Sequence, residues 1–194
     1  MKHTIEINRG ALAAVALFSS KKDARYYLQG VYVETGPKGA ILVATNGHAM
    51  GILHVADDCE VSAGIIPAEL IANAIKISKG EKLSLTIDTE AGEGSRPMYS
   101  IAGMGMLGID GKYPEWRRVV PTGEPSGVAA QFESELVTRF GKAALLLGVK
   151  HKSLNIAHNG AGNAARVTIK ARPEFLGVVM PYRVEASADM PDWF

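Results

Sequence analysis

The sequence predicts an α+β protein in which outer antiparallel sheets are covered on one face by amphipathic helices. Two observations predict it. A short strand followed at once by a helix, and then by further β-like runs, recurs three times along the 194 residues. The helical segments carry apolar stripes at helical spacing, while the runs between them alternate or are continuously apolar.

The first unit opens with Thr4-Ile5-Glu6-Ile7, which alternates as a half-buried strand does, and continues into a helix from Arg9 to Ser19. Tyr27 to Glu34 reads as a strand, Gly36-Pro37-Lys38-Gly39 as a turn, and Ala40 to Thr45 as the returning strand, punctuated by Asn46-Gly47. The second unit begins at Gly64-Ile65-Ile66 and predicts a helix from Pro67 to Lys79. Its stripe is Leu70, Ile71, Ala74, Ile75 and Ile77. Lys76 and Lys79 lie off that stripe, Pro67 suits the first turn, and Gly80 suits the stop. Strands follow at Lys82 to Ile87 and Pro97 to Ile101. The third unit predicts a strand at Val128 to Phe132 and a helix from about Ser134 to Leu147. Leu136, Val137, Phe140, Ala144 and Leu147 line one face, Arg139 and Lys142 lie outside it, and Gly148 ends it. Strands at Ser153 to Ala157, Arg166 to Ile169 and Leu176 to Met180 complete it. A unit with one helix cannot bury its apolar face alone. Units one and two can cover each other; the third is expected to find its partner in another chain.

A net charge of +1 gives no global signal for nucleic acid, so any basic face must be local. Cys59 is the single cysteine, which rules out an internal disulfide and fits a reducing compartment. The N-terminal residues alternate rather than forming a signal peptide, and no apolar run is long enough to span a bilayer. The expected localisation is cytoplasmic.

Catalytic chemistry finds no motif. His3, His48, His54, His151 and His158 lack metal-ligand spacing, and Cys59 has no cysteine partner for zinc. Gly160-Ala161-Gly162-Asn163-Ala164 lies between two strands, so it reads as a hairpin loop and not a dinucleotide cradle. No nucleophile-elbow signature is present. We expect no enzyme activity, no metal and no cofactor.

Three segments carry a more specific signal. They are Arg25-Tyr26-Tyr27-Leu28-Gln29-Gly30 running on to Val43-Ala44-Thr45-Asn46-Gly47-His48; Asp110-Gly111-Lys112-Tyr113-Pro114-Glu115-Trp116-Arg117-Arg118-Val119-Val120-Pro121; and Val178-Val179-Met180-Pro181-Tyr182-Arg183. Together they resemble the bacterial DNA polymerase III beta subunit family, the sliding clamps, from about His3 to Arg183. The resemblance implies the DNA-clamp fold, with β-α-β repeats, outer antiparallel sheets and inner helices. It implies a middle clamp domain of two repeats at residues 1–121. Residues 122–184 resemble the second half of the last clamp domain, and 185–194 form a tail. The family's first domain and half of its third have no counterpart. Clamp rings contain twelve repeats, so four chains of three would supply them, with the third units pairing across a two-fold axis.

The resemblance also implies two sites. A groove for short apolar peptides of polymerase and clamp-loader type proteins maps onto Leu28, Thr45, Gly47, His48, Met50, Pro121, Leu136, Val178, Val179, Met180, Pro181 and Tyr182. Such peptides need an apolar, partly preformed cleft with a few polar edges. Asn46 and Ala49 replace the family's usual acidic residue and arginine, and Leu136 stands where an aromatic gate is frequent, so ligand preference is expected to differ. A duplex-DNA face, indifferent to sequence, maps onto Lys21, Lys22, Arg25, Tyr26, Lys76, Lys79, Arg139 and Lys142. For any single helix lysine, ordinary solubility is the better explanation of its presence. The tail ends in Trp193-Phe194 and resembles a clamp ligand, which suggests a plug or an assembly latch. The function implied is a processivity factor that tethers replication or repair proteins to DNA. The alternative is a non-ring module or decoy that captures clamp-binding peptides.

Overall fold

The computed structural model describes residues 1–55, 60–94, 96–183, 190 and 193. Cys59 and most of the tail, Phe194 included, lie outside the described residues. Strand β1 (Lys2–Asn8) ends at Asn8, whose side-chain oxygen accepts from the Ala11 N–H at 3.1 Å and so caps helix α1 (Arg9–Ala16). A 3-10 turn (Tyr26–Gln29) leads into β2 (Gly30–Gly36), β3 (Gly39–Thr45) and β4 (Ala49–Val55). The second unit comprises β5 (Gly64–Pro67), α2 (Ala68–Ile77), β6 (Lys82–Glu93), β7 (Arg96–Ile101) and β8 (Met104–Leu107). A second 3-10 turn (Trp116–Val119) precedes α3 (Ser134–Leu146), β9 (Asn155–Ala157), β10 (Ala165–Thr168) and β11 (Phe175–Val179).

These strands form two antiparallel sheets, ordered β1-β6-β7-β8 and β5-β2-β3-β4-β11-β10-β9. Units one and two exchange their first strands: β1 pairs with β6 and β5 with β2. Alternation then assigns each face. In β3, Leu42 and Ala44 enter the helix-side core, while Val43 enters a smaller cluster on the opposite face. Segment 108–120 lies over that opposite face through Ile109, Tyr113, Trp116 and Val120.

The third unit does not wait for another chain to cover it, as the sequence suggested. β11 pairs with β4, which continues one sheet from unit one into unit three. Phe18, just after α1, meets Phe140 of α3 at a ring distance of 4.8 Å and Phe175 of β11 at 6.0 Å. One buried cluster therefore runs through all three units. Gly51 and Gly177 are cross-strand partners at this junction. A Cβ on Gly51 would lie 2.5 Å from the Phe18 ring, and one on Gly177 would lie 2.3 Å from the Phe140 ring. Both rings lie directly over backbone, a close approach that only glycine permits.

Three other expectations are corrected. Tyr27 to Gln29 belongs to the 3-10 turn, closed by the Leu28 N–H donating to the Arg25 carbonyl at 2.9 Å; pairing begins only at Gly30, opposite Pro67. Val128 to Phe132 forms no strand; within the segment the Ala130 N–H donates to the His158 ring and the Gln131 carbonyl accepts from the Tyr182 N–H, so it makes no ladder. Ile77 lies at the end of α2 and is 58% exposed, outside the buried stripe formed by Leu70, Ile71 and Ala74. No described helix is long and apolar enough to cross a membrane.

Candidate functional site

The three motifs meet on the face of the seven-stranded sheet opposite the helices. Gly47 turns β3 into β4 with φ +90°, and a Cβ there would lie 2.9 Å from the Arg25 guanidinium. Thr45 and Asn46 brace this turn: the Thr45 hydroxyl accepts from the Gly47 N–H at 3.0 Å, and the Asn46 side chain accepts from the N–H groups of His48 and Ala49. The second motif crosses beneath. The Tyr113 hydroxyl donates to the Val43 carbonyl at 3.2 Å, and the Tyr113 ring stacks on Tyr32 at 4.8 Å. The third joins through β11, where Val178 faces Met50 and the Met180 N–H donates to the His48 carbonyl at 2.8 Å.

Of the residues assigned to a peptide groove, Leu28, Met50 and Val178 form one buried apolar cluster. Gly47, His48 and Tyr182 are exposed, and Thr45, Pro121, Met180 and Pro181 are half-buried. The Pro121 carbonyl accepts from Arg166 at 3.0 Å, and the Tyr182 N–H donates to the Gln131 carbonyl at 2.8 Å. Leu136 and Val179 are placed elsewhere. Both are buried in the helix-side core, Val179 because neighbours in a strand point to opposite faces, and Leu136 because it belongs to the inner stripe of α3. Trp193 is 83% exposed.

The residues assigned to DNA fall on the helix side and on the adjoining loop. A mostly apolar groove of about 630 Å³ between α1 and α2 is edged by Lys21 and Lys76. A neighbouring cleft of about 310 Å³ is lined by Lys21, Arg139 and Lys142. Lys21 borders both, so these four cations share one surface. Lys79 lies beyond the end of α2, beside a separate hollow with Lys82. Lys22 is exposed. Arg25 and Arg139 are already engaged. Arg25 donates to the two Asp23 carboxylate oxygens from Nε at 3.0 Å and Nη2 at 2.8 Å, and these bonds hold the Asp23 carboxyl down at about 2. Arg139 reaches Glu135 at 3.6 Å and the Leu17 carbonyl at 3.4 Å. Tyr26 is 52% exposed beside this loop.

Two positioning features were not read from the sequence. Arg9 donates to the carbonyls of Ile75 and Ser78, tying α1 to the C-terminal end of α2, where a cation also meets the negative end of the helix dipole. Its residue type alone gave no such signal. Arg117 lies 4.2 Å above the Trp116 ring and pairs with Glu34 at 2.6 Å, which pins the second motif to β2. Burial first, and then the Glu34 charge, push the Tyr32 phenol up to about 12. Among the described residues, no three histidine, cysteine or acidic side chains gather as a metal cage.

Known proteins share both the sequence and the arrangement. The family model for the DNA polymerase III beta subunit, central domain, matches residues 6–115. The beta sliding clamp of Vibrio cholerae serotype O1 is 25% identical over 162 residues, covering 82% of this chain and 43% of that protein. The chain thus spans less than half the length of that relative. Among solved structures, the sliding clamp of Bacillus subtilis aligns with a TM-score of 0.70 at 11% identity, over 94% of this chain and 65% of that one. The sliding clamp of Caulobacter crescentus gives 0.68 at 18% identity, over 94% and 66%. The matched span runs from β1 through the Tyr113 segment that closes the outer face, more than half of the chain, and the chain therefore belongs to the DNA polymerase III beta subunit family through its central domain.

Proposed function

We propose that this chain is a clamp-type processivity factor, which holds replication or repair proteins on duplex DNA and makes or breaks no bond itself. The observation that carries the reading is the family match over residues 6–115 combined with Lys21, Lys76 and Lys142 on one helix-side surface. Backbone phosphates are met by such flexible cations without reading bases, which leaves a protein free to slide. Lys22, Lys79, Arg25, Tyr26 and Arg139 flank that contact. The domain boundary falls near Pro121, with a clamp domain before it and a third repeat at 122–184. Closure needs more than one chain, and four copies would supply a ring's twelve repeats. The protein would act where DNA, polymerase and loader meet, in the cytoplasm.

The test is retention. Protein assembled on a closed DNA circle is expected to survive a high-salt wash and to leave when the circle is cut. Release that is equally fast from closed and cut DNA would show that no ring encloses the duplex.

The opposite face is the peptide site in this proposal. Leu28, Met50 and Val178 form its apolar floor, and Thr45, Gly47, His48, Pro121, Met180, Pro181 and Tyr182 form its rim. Tyr182 is 57% exposed, so Tyr182→Ala removes contact area without opening a cavity. We expect affinity for an apolar-anchored peptide to fall about tenfold, a loss typical of an aromatic interface anchor. Titration by fluorescence anisotropy reads it, with the melting temperature as control. Unchanged affinity would move the site off this rim, and absence of binding to the unaltered protein would weaken the peptide-capturing alternative.

A further inference from the structure

Units one and two obey a pairing rule that unit three leaves unfulfilled. In each, the strand preceding the helix pairs with the first strand after the helix of the other unit. The register is the same both times. Asn8, immediately before α1, faces Lys82, the first residue of β6; Pro67, immediately before α2, faces Gly30, the first residue of β2. In unit three the equivalent parts are segment 128–132, before α3, and β9, after it. Segment 128–132 forms no strand, Val128 is 57% exposed, and β9 is an edge of its sheet. The short connection from Pro121 to Gly127 holds no further unit that could fill the gap.

We propose that a second copy of this chain fills it by reciprocal strand exchange. Segment 128–132 of each copy adds to β9 of the other across a two-fold axis. The rule fixes the register: Glu133 opposite Asn155, hence Phe132 opposite Ile156, Gln131 opposite Ala157 and Ala130 opposite His158. A single chain already makes a fragment of this contact, since the Ala130 N–H donates to the His158 ring at 3.1 Å and Phe132 lies 5.6 Å from that ring. One backbone bond, from the Ser126 N–H to the His158 carbonyl at 2.7 Å, lies just before segment 128–132, and no backbone ladder forms there among the described residues. Neither complete unit pairs its leading strand with its own sheet, because the helix between them carries the chain across. Two copies remove that restriction, and an isologous contact satisfies both edges at once. This inference deepens the oligomeric part of the proposed ring and names its contact.

Mixed single-cysteine chains provide the test. Gln131→Cys and Ala157→Cys are made separately, each with Cys59→Ser, so that a disulfide between positions 131 and 157 can only join two chains. Directly opposed strand residues lie within disulfide reach. Pairing raises the local thiol concentration to about the mM range, so at micromolar protein the mixture is expected to cross-link about a hundredfold faster than either variant alone. The readout is covalent dimer on a non-reducing gel. A mixture that cross-links no faster than its components overturns the exchange. So does faster cross-linking of Gln131→Cys with Asn155→Cys, which are two residues out of register. Cross-linked dimers that slip off closed circular DNA would keep the pairing and reject the ring; retention without the cross-link would do the reverse.

Discussion

Phe140→Ala is expected to destabilise the protein by about 3–5 kcal/mol, the usual range for emptying a buried phenylalanine site. Phe140 is fully buried. Its ring lies over the backbone of Gly177 and against Phe18, and Phe18 lies over Gly51, the strand partner of Gly177. The cavity would open at the junction where unit three meets unit one. Neither glycine has a side chain that could move in to refill it. Relaxation is therefore limited, and the loss should fall in the upper part of that range. Urea unfolding followed by circular dichroism would read it as a lower midpoint. A second, earlier transition would mean that unit three, released from α1, unfolds first. A loss below about 1 kcal/mol would mean that β4–β11 pairing alone holds the junction, and the assignment of Phe18 and Phe140 as its centre would be wrong.

The helices were legible because each repeats apolar residues at helical spacing, as Leu70, Ile71 and Ala74 do, and because nothing outside the segment is needed to see it. Strands with long alternation, such as β1 and β6, were legible for the same reason. What escaped depended on distant partners. Gly51 and Gly177 have meaning only once β4 faces β11, a pairing across most of the chain. β8 is four residues long and follows a tight turn at Ala102-Gly103, too short for a period to emerge. Val128 to Phe132 has strand-like residues, but its described bonds go to the His158 ring and the Tyr182 N–H, so its sequence preference found no ladder. At the groove, the three motifs did converge, but motif spacing could not separate the two faces of β11. That is why Val178 reached the outer cluster and Val179 the inner core.

Replacing Lys21, Lys76 and Lys142 together with glutamine is expected to weaken DNA binding by about 10²–10³-fold near 0.1 M salt and to make the salt dependence shallower by about 2–3 units of slope. Each lysine, as one phosphate contact, accounts for about 0.9 of a released counterion. These three are the natural choice because all are exposed and each borders one of the two adjoining helix-side hollows, Lys21 both. Their removal should leave folding intact, since exposed lysines contribute little to stability. Arg139→Gln should cost less than one lysine's share, because Glu135 and the Leu17 carbonyl already hold that guanidinium. Arg25 should likewise matter less than its charge suggests, since Asp23 neutralises it. Anisotropy titrations on a short duplex across a salt series separate these cases. If the triple variant keeps the original slope, phosphates are not met on the helix side, and the seven-stranded sheet, not the helices, would have to face the DNA. If Arg139→Gln alone matches the triple variant, the contact is a directed one at α3, and free sliding over a diffuse cationic surface would no longer describe it.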